Sequence, residues 1–370
     1  MQTRRFGKTG LTLSVFSLGM MRCLATPESA FQVLEQALQQ GINHVETARA
    51  YGPSERYLGE ALQALGQRPI LTSKITPTVD GDELERQLEA SLQDLGVDCL
   101  DCLAIHGINT PAHLEQVQRS MLDRLAQLLA DGRIRQLGLS THGPLAVIEG
   151  AIATGAFSFV NLHYYYFFQR NAPAIELAHQ QDLGIFIISP ADKGGLLYTP
   201  PERLRQLCDP FEPLHLTYRW LLSDPRITTL SLGPATPDEL SGPLRVADQT
   251  GPPSAAEQQA LDRLAEHQVA ALGPERCSQC YACLPCPEAI NIPEVLRLRN
   301  LALAYDMTRY GEYRYRMFEQ AGHWFPGRKG NRCTDCGDCL PRCPEQLNIP
   351  TLLRDTHQRL NGPERRRLWS

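Results

Sequence analysis

Between residue 13 and about residue 248, short apolar and β-branched runs alternate with stretches of 10–20 residues carrying a helical apolar pattern. The runs at 15–19 (VFSLG), 43–47 (NHVET), 70–74 (ILTSK), 99–106 (CLDCLAIH), 134–140 (IRQLGLS), 158–163 (SFVNLH), 185–189 (IFIIS) and 228–233 (TTLSLG) read as strands. Eight strands, each followed by a helix, over about 250 residues predict an α/β fold, a (β/α)8 TIM barrel. Residues 2–13, with Lys8, Thr9 and Gly10 as the turn, read as a hairpin that plugs the bottom of that barrel. The TGPPS stretch at 250–254 then ends it, and a helical segment over 255–270 follows.

Composition narrows the function. Hydrophobic residues at 42% and charged residues at 21% are those of a folded globular chain. A net charge of −5 provides no basic field for a polyanion, which argues against nucleic acid as a partner. No apolar run approaches the roughly 20 residues of a membrane span, and residues 1–11 lack the apolar stretch of an export signal, so a cytoplasmic location without membrane contact is expected.

Twelve cysteines change the picture after residue 276, where eight of them cluster. The segment from Cys286 (CPEAINIPEVL) reappears from Cys343 (CPEQLNIPTLL), each copy preceded by three closely spaced cysteines. In both copies Asn before Ile-Pro reads as a helix start. Cys333, Cys336, Cys339 and Cys343 have the spacing of a bacterial ferredoxin half-site, in which the fourth cysteine ligates the other cluster. That rule assigns Cys277, Cys280, Cys283 and Cys343 to one [4Fe–4S] cluster, and Cys333, Cys336, Cys339 and Cys286 to a second. The first copy departs from the spacing, with two residues rather than three between Cys283 and Cys286. Structural zinc is the competing reading, but zinc sites usually pair one CxxC with a distant second pair rather than with a third cysteine at once. The helical stretch over 287–332 suggests a small, mainly α-helical ferredoxin-like domain over 274–370, joined by a linker helix over 251–273 to a barrel over 1–250. Cys99 and Cys102 lie in an expected strand, where positions three apart face opposite ways, and read as buried spectators rather than a redox pair.

Active sites of such barrels lie at the C-terminal ends of the strands. Glu46 and Tyr51 follow the second strand, Lys74 ends the third and His106 ends the fourth. A lysine ammonium beside a tyrosine is expected to lower the phenol's pKa and make it a proton donor near neutral pH, with a carboxylate fixing the lysine. The run 161–168 (NLHYYYFF) either lines an aromatic substrate pocket or fills the top of the barrel. The basic end, 363–370 (PERRRLWS), either docks an acidic electron carrier or is a solvated tail.

Over about residues 1–248 the chain resembles the aldo/keto reductase superfamily, and its tail resembles that of the superfamily's iron–sulfur branch. The matching motifs are GINHVETARAYG at 41–52, TSK at 72–74, IHG at 105–107 and STHG at 140–143. The resemblance implies a tetrad in which Tyr51 protonates a substrate carbonyl as NADPH delivers hydride. Lys74 would tune the tyrosine, Glu46 would hold the lysine, and His106 would orient the carbonyl. It also implies cofactor contacts: Ser140 and Asn161 at the nicotinamide carboxamide, the Ser189–Leu196 loop with Lys193 and Gly194 at the pyrophosphate, and Gly233 in the eighth βα turn. The chain departs from the family in three places. Glu46 stands where the tetrad has Asp, so the lysine must shift or the pair weaken. Ile188 replaces a stacking aromatic. The eighth turn has Asp238, Glu239 and Pro243 but no cation before Arg245, which disfavours a 2′-phosphate.

Two functions fit these residues. One is NAD(P)H-dependent reduction of a small-molecule aldehyde or ketone by a chain carrying two [4Fe–4S] clusters. The other is cluster-based electron transfer with a ferredoxin-like carrier, the barrel binding a substrate or partner without nicotinamide chemistry. Nicotinamide moves a hydride and clusters move single electrons, and no flavin motif is evident to join them. Retention of Tyr51, Lys74 and His106 argues against a purely structural barrel.

Overall fold

A computed structural model describes residues 1–77, 80–191 and 196–362. These group into two compact units, one made of the described residues up to 191 with 217–252, the other of 196–216 with 253–362.

The first unit begins with the expected hairpin, β1 (Thr3–Arg5) antiparallel to β2 (Thr12–Ser14). The eight expected strands follow as β3 (Phe16–Gly19), β4 (His44–Glu46), β5 (Ile70–Ile75), β6 (Leu100–His106), β7 (Ile134–Thr141), β8 (Phe159–His163), β9 (Gly184–Ile188) and β10 (Thr229–Leu232). They form a closed parallel barrel in the order β10-β3-β4-β5-β6-β7-β8-β9. Strand ends differ from the sequence reading by a residue or two, as terminal hydrogen bonds decide them. Nearly every strand residue is buried, as it must be when helices cover the outside of a parallel sheet and side chains fill the inside.

The interior is layered. At the bottom Phe6, Leu13, Cys102, Ala104, Phe159 and Phe186 pack together, with the Phe6 ring 5.2 Å from that of Phe159. The hairpin turn fits because it carries glycine: a Cβ on Gly7, whose φ is +51°, would lie 2.2 Å from the Gly184 nitrogen. Above this layer Ser17 Oγ bonds His44 Nδ1 at 2.6 Å and Thr229 Oγ1 at 2.7 Å, and His44 Nε2 meets Thr72 Oγ1 at 2.7 Å. Burial pushes His44 down to about 4, outweighing the pull of Glu46, so the imidazole is neutral and purely a hydrogen-bonding spacer. Cys102 is fully buried in the barrel and its thiol is pushed up by burial to about 12, while Cys99 lies outside the strand; both are free.

Truncating Phe6 to alanine empties the bottom plug. Denaturant unfolding should show a loss of about 3–5 kcal/mol, the usual range for a buried Phe→Ala change. A loss under about 1 kcal/mol would mean that the hairpin is dispensable to the barrel.

The second unit contains the helix Ala255–Leu272, capped by reciprocal bonds between Ser254 and Glu257. The segment expected as a linker over 251–273 is therefore part of a folded unit: Tyr305 Oη donates to the Leu264 carbonyl at 2.9 Å, and Arg263 Nε to that of Leu207 at 3.2 Å. Residues 196–216, expected in the barrel, group here as well. The two copies of Asn-Ile-Pro do start helices, Ile292–Tyr305 and Ile349–Leu360. Asn348 caps with its side chain, whereas Asn291 instead donates to the Pro326 carbonyl at 3.2 Å. The stretch expected to be helical over 287–332 holds Ile292–Tyr305 and Thr308–Tyr315, joined by a buried Arg297 that pairs with Glu294 at 2.6 Å and reaches Tyr310 Oη at 3.1 Å. Among the described residues no helix is long and apolar enough to cross a membrane.

Candidate active site and cluster sites

Three adjacent strand ends bring the four expected residues together. Glu46 ends β4 and Lys74 lies near the end of β5, with their charged groups 2.5 Å apart and both side chains buried. Lys74 Nζ also donates to the Thr47 carbonyl at 2.9 Å and lies 5.2 Å from the centre of the Tyr51 ring. His106 ends β6, and its ring meets that of Tyr51 edge-on at 5.5 Å and 83°. The longer Glu46 still reaches the lysine: its Oε2 takes Lys74, while its Oε1 accepts from Ser231 Oγ.

The electrostatics correct one expectation. Burial dominates at Tyr51 and holds the phenol above its ordinary pKa; Lys74 pulls it down and Glu46 pushes it up, and the net shift is upward rather than downward. Tyr51 therefore keeps its proton throughout the neutral range. Burial pushes Lys74 down, but Glu46 and then Tyr51 more than offset this and hold it above its ordinary value, so it is charged.

Of the expected cofactor contacts, Ser140 and Asn161 sit side by side in register on β7 and β8, and His106 pairs with Ser140 on the other side. Asn161 is fully buried, yet neither its Oδ1 nor its Nδ2 has a hydrogen-bond partner. A buried amide with both functions unspent is unfavourable alone and suits a carboxamide ligand. Ser189, just past β9, has a φ of +55°, a conformation that non-glycine residues adopt mainly under local constraint. Ile188 ends β9 half-buried. Gly233 follows β10, and its carbonyl accepts from Arg22 at 2.7 Å. Lys193 and Gly194 lie outside the described residues, as does the basic stretch 363–370.

Three residues escaped the sequence reading. Arg22, from the loop after β3, pairs with Glu239 at 2.9 Å, and Glu239 also accepts from the Ala235 amide at 3.0 Å. The eighth turn thus has a cation beside it, brought from more than 200 residues away and already neutralised. Glu55, buried, accepts from Ser73 at 2.5 Å and Arg49 at 2.8 Å, tying the Tyr51 loop to β5. Ser231 is the third, and its reach to Glu46 depends on barrel closure. In the aromatic run Tyr164, Tyr165, Phe167 and Phe168 are buried, with His163 stacked on Phe168 at 4.8 Å and on Tyr165 at 5.3 Å.

In the second unit the eight cysteines line two concavities. Cys277, Cys280, Cys283 and Cys343 line one concavity with Leu296 and Ile349; Cys286, Cys333, Cys336 and Cys339 line another with Ile292 and Leu353. The shorter first copy shares backbone turns with the second on either side of its deletion. Left-handed residues fall at matching positions, Gln279 with Asp335, Tyr281 with Gly337, and Ala289 with Gln346. Among the described residues no group of three His, Cys, Asp or Glu side chains is placed to hold one metal ion. Burial pushes the Cys277 thiol up to about 11 and Cys283 up to about 12, so ligation there must displace protons.

A closed (β/α)8 barrel with polar residues massed at its strand ends, followed by a cysteine-rich helical unit, defines a barrel oxidoreductase with an iron–sulfur domain. The chain belongs to the aldo/keto reductase family, whose description matches residues 16–266, and carries a 4Fe-4S dicluster domain matching residues 276–347. It is 33% identical to the 6-dehydroglucose reductase of Novosphingobium aromaticivorans over 157 residues, 37% of this chain and 50% of that protein. The chain thus spans about half the length of that relative. The pyridoxine 4-dehydrogenase of Escherichia coli is 28% identical over 134 residues, 32% of this chain and 47% of that one. Among solved structures, the aldo-keto reductase AKR11C1 from Bacillus halodurans in its holo form matches with a TM-score of 0.63 at 21% identity, covering 71% of this chain and 96% of that one. That likeness shows the fold.

Proposed function

We propose that this chain reduces an aldehyde or ketone with NAD(P)H, with Tyr51 as proton donor, and that its second unit carries two [4Fe–4S] clusters. The observation that carries the reading is the convergence of Glu46, Lys74, Tyr51 and His106 at three adjacent strand ends, with the lysine buried and ion-paired. His106 would orient the substrate carbonyl beside the Tyr51 hydroxyl. Tyr51 would pass its proton to the carbonyl oxygen, and Lys74 would stabilise the phenolate left behind. Glu46 keeps Lys74 protonated for that purpose. Asn161 and Ser140 would hold the nicotinamide carboxamide, and Ser189, Lys193, Gly194 and Gly233 the rest of the nucleotide. A reduced nicotinamide, when bound, supplies a hydride, and [4Fe–4S] clusters exchange single electrons. The eight cysteines would ligate the clusters in the crossed sets, open to exchange with a ferredoxin-like carrier. Relatives named 6-dehydroglucose reductase and pyridoxine 4-dehydrogenase favour a small polar substrate.

Fluorescence titration with NADH and NADPH tests the reading. Because Glu239 already neutralises Arg22 and Asp238 stands free of it, NADH should bind at least as well as NADPH. An NADPH preference on the order of a hundredfold would show that cations outside that turn, Lys193 or Arg245 first, reach the extra phosphate. Failure of both nucleotides at millimolar concentration would overturn the reductase reading in favour of cluster-based electron transfer.

A further inference from the structure

We propose that Ser231 is a positioning residue: it fixes the Glu46 carboxylate, and through it the Lys74 ammonium, for proton transfer at Tyr51. The inference rests on the reductase reading. Ser231 lies on β10 and Glu46 on β4, with β3 between them. The serine hydroxyl donates to Glu46 Oε1, leaving Oε2 for Lys74 at 2.5 Å. Both oxygens of the carboxylate are therefore held, from opposite sides.

The bond crosses β3 at Gly19. A Cβ there would lie 2.9 Å from Ser231 Oγ and 3.2 Å from Glu46 Oε1, so the missing side chain opens the corridor. The extra methylene of glutamate is what carries the carboxylate across to the eighth barrel strand; an aspartate would stop short of it. Ser231 is 9% exposed and Glu46 6%, so water competes little for either group. A hydrogen bond to a charged acceptor is among the stronger ones in such a place. Without it the carboxylate can turn about its last torsion and loosen from Lys74, whose charge depends on that pairing against the opposing effect of burial.

A mutant cycle tests this in the full-length protein. The chain has four lysines, Lys8, Lys74, Lys193 and Lys329, so 13Cε-lysine NMR can follow the Lys74 titration, assigned with Lys74→Arg. Ser231→Ala should lower the Lys74 pKa by about half a unit or more and kcat on the order of tenfold, leaving KM and nucleotide affinity unchanged. Gly19→Ala, which presses a methyl between Ser231 Oγ and Glu46 Oε1 without replacing either residue, should do the same. Adding Ser231→Ala to Glu46→Asp should cost nothing beyond Glu46→Asp alone, because the shorter side chain has no bond to lose. Full additivity, or an unmoved Lys74 titration in both Ser231→Ala and Gly19→Ala, would overturn the proposal. Should no carbonyl compound be reduced, the lysine titration still decides the role of Ser231, separately from the reductase reading.

Discussion

Tyr51→Phe should lower carbonyl reduction by roughly a hundred- to ten-thousandfold, the usual contribution of a positioned general acid, with the dissociation constant of the nucleotide nearly unchanged. The substitution removes one hydroxyl from a ring that stays packed against His106. The pH profile carries a second check. With the phenol held above its ordinary value by burial, the wild-type protein should keep its activity through neutral pH and lose it only as Tyr51 ionises, above the range of an ordinary phenol. The sign follows from the role: the protonated form works, so a raised pKa extends activity upward. Lys74→Met removes the charge that pulls the phenol down, so any residual activity should persist to still higher pH at a lower maximum. Steady-state kinetics and nucleotide titrations on the three proteins decide it. Unchanged turnover in Tyr51→Phe would remove the tyrosine from the mechanism.

Cys336→Ser should cut the iron content from about eight to about four per chain, because its cavity loses one of four thiolates while the other keeps all of its own. Iron and sulfide analysis of anaerobically purified protein, which should be brown, reads this directly. Crossed ligation makes a sharper demand. Cys286 is close in sequence to Cys283 but lines the cavity of Cys336, so Cys286→Ser should damage the same cluster as Cys336→Ser, and the double variant should lose no more iron than either single one. Cys343→Ser should instead deplete the Cys277, Cys280 and Cys283 site. Loss from the opposite sites would reverse the crossing, and stoichiometric zinc without labile sulfide would eliminate the clusters. Circular dichroism of the variants should show the barrel intact, since the two units have separate cores.

Much of this protein is legible in its sequence because the relevant physics is local. A buried parallel strand must be a short apolar run, and eight such runs separated by helical patterns admit few folds besides a closed barrel. The two cysteine concavities are legible for a related reason: three cysteines at three-residue spacing fall on one turn of chain, and the fourth lining each concavity comes from the other copy of the repeat. Strand ends likewise told where Glu46, Lys74 and His106 would meet, since chemistry gathers at the C-terminal rim.

What the tertiary structure alone decided depends on distances that sequence separation conceals. Ser231 and Glu46 are 185 residues apart, and Arg22 and Glu239 are 217; nothing near any of these residues marks its partner. Closure of the barrel makes first and last strands neighbours, and only then does the bare Gly19 become a passage between two side chains. The Tyr51 shift also had to wait for the fold. Its nearest charges could be named in advance, but the desolvation that outweighs them is set by every atom packed around the ring, and burial is a property of the whole barrel rather than of any segment.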